Sequence, residues 1–195
     1  NADNYNISTT EGTLEVTGLE DSKKHTAEVT APSKEDTYDG TEKSAGTELT
    51  GTTFKWKDQT YTIKGLTSAN VTKTDAGEYA NKVNGTAKVL DAAGNDVTAQ
   101  FKVTKKAGKL TIKTRQVTLT SATASKPYDG TPLTNDTVTV GGQGFVEGQG
   151  ATYKVTGSQT VVGRSANEFS YKLTEGTNAD NYNISTTEGT LEVTG

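Results

Sequence analysis

The chain has 195 residues, a formal net charge of −4, one His, one Trp and no Cys or Met. Without cysteine it forms neither a disulfide framework nor a thiolate metal site, and a lone histidine leaves Ser–His and Cys–His catalysis without a partner. The slightly acidic balance disfavours nucleic acid and anionic lipid as partners, and no apolar run is long enough to span a membrane as a helix, so no membrane insertion is expected.

Thr is the commonest residue, at 38 of 195, and apolar residues make up 30% of the chain. That is too little for a thick core and enough for thin β layers. Val, Thr and Tyr favour strands over helices.

In chain order, the first feature is a repeat. Residues 1–18 (NADNYNISTTEGTLEVTG) recur unchanged as residues 178–195, 177 residues later. The first copy is expected to be the closing segment left over from a preceding repeat, exposed or ordered only by a neighbour. Its apolar face has no domain of its own to enter.

Leu19–Lys24 reads as a polar linker, with His25 expected at the surface. From there Val29, Phe54/Trp56, Tyr61/Ile63, Val71, Tyr79, Val89 and Phe101/Val103 mark strands by period-two alternation. Lys57-Asp58-Gln59 reads as a hairpin turn. Thr37-Tyr38-Asp39-Gly40-Thr41 reads as a turn in which Asp bonds backbone N–H two residues on, Gly supplies positive φ, and the Tyr ring anchors the turn in the core. Asp91-Ala92-Ala93-Gly94-Asn95-Asp96 offers oxygens to a cation, but its spacing is not that of a calcium loop, and a hairpin turn is the better reading.

The pattern then starts again. Val117, Leu119 and Pro127-Tyr128-Asp129-Gly130-Thr131 repeat the opening, and Tyr128 follows Tyr38 by 90 residues. Val138/Val140, Tyr153/Val155 and Phe169/Tyr171/Leu173 supply strands. The Gly-rich stretch 141–150 lacks the lysine of a phosphate-binding loop and reads as a flexible loop. Tyr182/Ile184 and Leu191/Val193, joined by Thr186-Thr187-Glu188-Gly189, read as a closing hairpin with those four side chains buried. Gln100-Phe101-Lys102-Val103 and Gly108-Lys109-Leu110-Thr111-Ile112 repeat this ending in the first domain.

The organisation expected is therefore a leftover segment (1–18), a first β domain (19–115) and a second (116–195). The fold class is all-β, as two tandem Ig-like sandwiches end to end. A β-grasp arrangement with one helix across a sheet is the alternative.

The run Lys126-Pro127-Tyr128-Asp129-Gly130-Thr131 and the ending Ala179-Asp180-Asn181-Tyr182-Asn183-Ile184 … Gly189-Thr190-Leu191-Glu192-Val193 resemble the YDG and MBG-type tandem repeats of bacterial cell-surface adhesins. The match covers most of residues 116–195 and, more loosely, 19–115. There Thr37 stands in place of the Pro, and Gln100-Phe101 in place of Asn-Tyr. The resemblance implies an extracellular, cell-wall-anchored parent protein of Gram-positive type. It implies a non-catalytic stalk or adhesion module whose partners are neighbouring repeats, without cofactor.

A host mucin glycan or glycoprotein is the alternative partner. Its candidate contact is Trp56 with Lys55 and Lys57, where an indole flanked by cations suits a sugar ring. Phe54, Trp56, Tyr61 and Ile63 on one face read more readily as core. Tyr38, Asp39, Gly40, Tyr128, Asp129 and Gly130 are assigned a structural role.

Overall fold

The computed structural model describes residues 8–14 and 19–195. Among these the chain is all-β, with brief 3-10 turns and no α-helix, so the helix that a β-grasp arrangement requires is absent there.

The first half contains β1 (His25–Thr30), β2 (Lys34–Thr37), β3 (Lys43–Ser44), β4 (Thr53–Trp56) and β5 (Gln59–Ser68). It continues with β6 (Thr72–Lys73), β7 (Gly77–Asn81), β8 (Val83–Leu90), β9 (Phe101–Lys106) and β10 (Gly108–Lys113). The second half contains β11 (Arg115–Ser121), β12 (Ala124–Pro127), β13 (Val138–Gly142) and β14 (Ala151–Val155). It ends with β15 (Gly163–Ala166), β16 (Phe169–Leu173), β17 (Tyr182–Thr187) and β18 (Thr190–Thr194). The sheets are β1-β9, β2-β10-β7, β3-β6 and β4-β5-β8 in the first half, and β13-β11-β17, β12-β18-β15 and β14-β16 in the second. No sheet crosses Thr114, the single residue between β10 and β11.

Both halves close in the same way. Each opening strand runs parallel to a closing one: β1 with β9, β2 with β10, β11 with β17 and β12 with β18. β17 and β18 do not pair with each other, so the closing hairpin expected from Tyr182 to Val193 is not formed. The chain steps from one sheet to the next without reversing.

Gly189 makes that step possible. A Cβ there would run into the carbonyls of Ala122 and Ser121, and its N–H donates to Ser121 Oγ at 3.0 Å. Gly108 sits against Ala31 and Pro32 in the same way. Two buried amides brace the corresponding loops: Asn81 Nδ2 donates to the Pro32 carbonyl, and Asn167 Nδ2 to that of Ala122, both at 3.0 Å.

The β4–β5 hairpin forms as the alternation predicts. Lys57 and Asp58, at φ of 48° and 61°, supply the two left-handed residues that a two-residue turn needs to match strand twist. Asp91–Asp96 is likewise a turn. The Asp91 carboxylate accepts the N–H groups of Ala93 and Asn95 at 2.9 and 2.8 Å, and Leu90 bridges to Asp96.

The described part of the opening segment does not pack. Leu14 is 98% exposed, whereas Leu191, its equivalent 177 residues later, is fully buried. The expectation that a neighbour orders the rest of 1–18 concerns residues 1–7 and 15–18, which lie outside the described residues.

Most of the buried apolar side chains fall into two clusters, with Leu191 and Val193 outside both. One is internal to the first half and centres on Val29, Ile63, Val89 and Phe101. The other joins Tyr38, Leu110 and Ile112 of the first half to Val117, Leu119 and Tyr182 of the second. A core shared across Thr114 is thus part of the fold.

Candidate interaction surfaces

The Tyr-Asp-Gly-Thr turns come first, since they are the motif that repeats. Asp39 Oδ1 accepts from Thr41 N–H at 2.9 Å and from its hydroxyl at 2.6 Å, and Lys43 Nζ donates to Oδ2. Asp129 repeats both threonine contacts, at 2.9 and 2.7 Å, with Lys126 Nζ at 2.7 Å. Gly40 and Gly130 both hold φ of +79°.

These donors hold both carboxyls well below the usual carboxylate range. The lysine hydrogen bond is the largest cause in each, followed by the threonine contacts. An aspartate tied down in this way is a poor general base. The lysines come from opposite directions in sequence, Lys43 from four residues after the Asp and Lys126 from three before.

The tyrosines of these turns differ sharply. Tyr38 is 3% exposed and Tyr128 56%, so the expected anchoring holds at the first turn and fails at the second. The cause is the neighbour. Tyr38 lies against the second half, and among the described residues nothing lies against the end that carries Tyr128.

That junction is a built polar and aromatic contact. Tyr38 meets Tyr182 edge-to-face, with ring centroids 5.5 Å apart, a favoured geometry for a ring pair. The Gln149 amide bridges them: Nε2 donates to Tyr38 Oη at 2.8 Å, and Oε1 accepts from Tyr182 Oη at 2.5 Å. Val146 N–H donates to the same Tyr182 oxygen at 3.1 Å. Asn181, 1% exposed, donates through Nδ2 to Asp75 Oδ1 at 2.8 Å and accepts from Ala76 N–H at 2.7 Å. Each buried polar group here has its partner, which is what makes such a contact tolerable.

Sequence reasoning placed Tyr38 and Tyr182 in the core but missed Asp75, Val146, Gln149 and Asn181. The Gly-rich stretch supplies Val146 and Gln149 to the junction and is fixed there: Arg115 donates to the carbonyls of Gly144 and Gln143 at 2.8 and 2.7 Å. The available signal was the pair of intact amides, Gln149 and Asn181, each next to a turn.

The Lys55–Lys57 segment lies at the opposite end of the first half. Trp56 is half-buried and packs on the first core cluster. Its ring stacks on His25 at 5.6 Å and meets Phe101 edge-on at 5.4 Å. Lys57 Nζ sits 4.4 Å from the ring centroid, and Lys55 is exposed. His25, expected at the surface, is half-buried because it stacks on both Trp56 and Phe54.

A shallow groove beside β12 and β18 contains the Arg164–Glu192 ion pair at 2.9 Å. Among the described residues no three His or acidic side chains converge, and no helix is long and apolar enough to cross a membrane. Comparison with protein-family models, with curated proteins and with solved structures finds no match.

Proposed function

We propose that this chain is a non-catalytic repeat module of a bacterial surface adhesin, acting as an extended stalk and adhesion scaffold. In this reading its two halves are Ig-like sandwiches set end to end, in an extracellular, cell-wall-anchored parent of Gram-positive type. Neighbouring repeats are its first partners.

The observation that carries the reading is the joint. The halves share no sheet, yet one residue separates β10 from β11, and a common core with a satisfied polar rim closes over it. A spacer needs such a joint, since a flexible linker lets the chain fold back and lose reach. The exact 18-residue duplication and the two tied-down Asp turns fit a module chosen for repetition. The alternative, a binder of mucin glycans or glycoproteins through Lys55, Trp56 and Lys57, draws less support, because His25 and Phe101 already occupy much of the indole surface.

Small-angle scattering on the chain tests the stalk. An elongated particle is expected, with a maximum dimension near that of two halves in line, about 60–90 Å at roughly 3.3 Å per strand residue. A near-spherical particle would sink it.

A further inference from the structure

The free end of the second half repeats, position for position, the face that the first half presents to the junction. Tyr128 and Gly130 correspond to Tyr38 and Gly40. Behind them, the matching contacts of Asn81 and Asn167 align β15 with β7. This places Val161-Val162-Gly163 where Asp75-Ala76-Gly77 stands. In the first half the face is covered, and a Cβ on Gly40 would lie 2.8 Å from Val146 Cγ1. In the second no described residue covers it. Tyr128, Val161 and Val162 are 56%, 66% and 57% exposed, and nothing lies within 4 Å of a Cβ on Gly130.

The chemistry of this end has changed in a particular direction. Inside the chain, Asp75 and the Ala76 N–H serve the Asn181 amide. Val161 has no carboxylate to offer, so a partner presenting a buried amide at that place would lose a hydrogen bond. The front of the first half presents the matching change. The register that pairs Arg115 with Tyr182 pairs His25 with Phe101. Phe101 therefore stands in the place of Tyr182, but it is buried, covered by the half-buried rings of His25, Phe54 and Trp56. It is these three rings that form the aromatic end. Polar meets polar within the chain. The end of the second half offers Val161 and Val162 instead. The front of the first half offers half-buried aromatic rings, with the exposed Gln100 rather than a buried amide in the place of Asn181.

The sequence also supplies the order. The segment that ends the second half at Gly195 occurs again ending at Gly18, and there Leu19–Lys24 and then His25 follow it. We propose that the Tyr128–Val161–Val162 face docks head to tail on the His25–Phe54–Trp56 end of a second copy of this chain. The inference rests on the repeat-module reading. Leu19–Lys24 makes this joint longer than the one at Thr114, so the surface rather than the linker must hold it. A weak contact suffices where tethering raises the effective concentration.

A head-to-tail contact does not close on itself. Sedimentation equilibrium of the full chain, from roughly 10 μM to roughly 1 mM in the range of weak complexes, should show a weight-average mass that climbs without levelling at two copies. Val161→Lys with Val162→Lys should weaken this association at least about tenfold, the cost of roughly 1.4 kcal/mol. Circular dichroism would verify that the variant is folded. A photo-crosslinking benzoylphenylalanine at position 128 should label the peptide containing Trp56. A monomer throughout the range overturns the inference, as does a plateau at two copies with position 128 crosslinked to itself. Scattering at the dilute end reads the stalk separately. An elongated monomer that never associates sinks this contact alone, whereas a compact one that associates through Trp56 supports the contact and sinks the stalk.

Discussion

Asp39 and Asp129 are bound by the same kinds of donor at both turns, and the shared chemistry sets a pH dependence. Their folded values lie below the ordinary one, Asp39 chiefly through Lys43 and Asp129 chiefly through Lys126. A lowered folded value means that the stabilisation is complete above the unfolded value of about 4 and is lost as pH falls through the folded one. The urea midpoint should therefore be flat from neutral pH to about pH 5 and fall below that, with a shallower fall in the Asp39→Asn, Asp129→Asn double variant. Equal slopes would show that the turns contribute nothing through charge, as fully screened surface pairs do.

Tyr38 and Tyr128 separate the local part of the motif from the rest. Tyr38→Ala removes a buried ring and should cost about 3–4 kcal/mol in urea unfolding, as large-to-small core changes do. Tyr128→Ala should stay within about 0.5 kcal/mol, as for other exposed sites. The turns were legible in sequence because Asp, Gly and Thr act within three residues. The burial of Tyr38 was expected too, but the exposure of Tyr128 was not legible, because what covers Tyr38 is Gln149 and Tyr182, more than 100 residues away.

At the scale of elements, the stepped strand pairs depend on two glycines. Gly189→Ala would push a methyl into the carbonyls of Ser121 and Ala122 and should destabilise by about 1–3 kcal/mol, as overpacking does. Gly150 is the control, since its Cβ would meet nothing within 4 Å and Gly150→Ala should be near neutral. Urea midpoints of the two variants decide; equal midpoints would show that β17 and β18 can part without cost.

The alternation Tyr182/Ile184 and Leu191/Val193 located these strands correctly. It could not say whether Thr187–Gly189 turns back or steps forward, because a polar stretch ending in Gly serves both. The deciding partners, β11 and β12, lie more than 60 residues earlier.

For the whole molecule the shared core makes the two halves thermodynamically dependent. Leu110 and Ile112 of the first half are buried with Val117 and Leu119 of the second, and full burial of each such side chain contributes about 1.5–3 kcal/mol. Unfolding one half would strip the other of that cover and of the Gln149 and Asn181 contacts, which is the condition for one cooperative transition. The chain carries its own probe of this coupling. Its single Trp, Trp56, lies in the first half and reports on that half alone, while far-UV circular dichroism reports on both. In the natural sequence the two signals should trace the same urea curve. Val146→Asp places a charge against Gly40 and the shared core, where an unpaired charge is costly. It should split the curves, with the Trp56 transition remaining close to its original midpoint because the first cluster is internal to its own half. Separate transitions already present in the unsubstituted chain would mean that the core across Thr114 does not couple the halves, and the rigid joint on which the stalk reading depends would go with it.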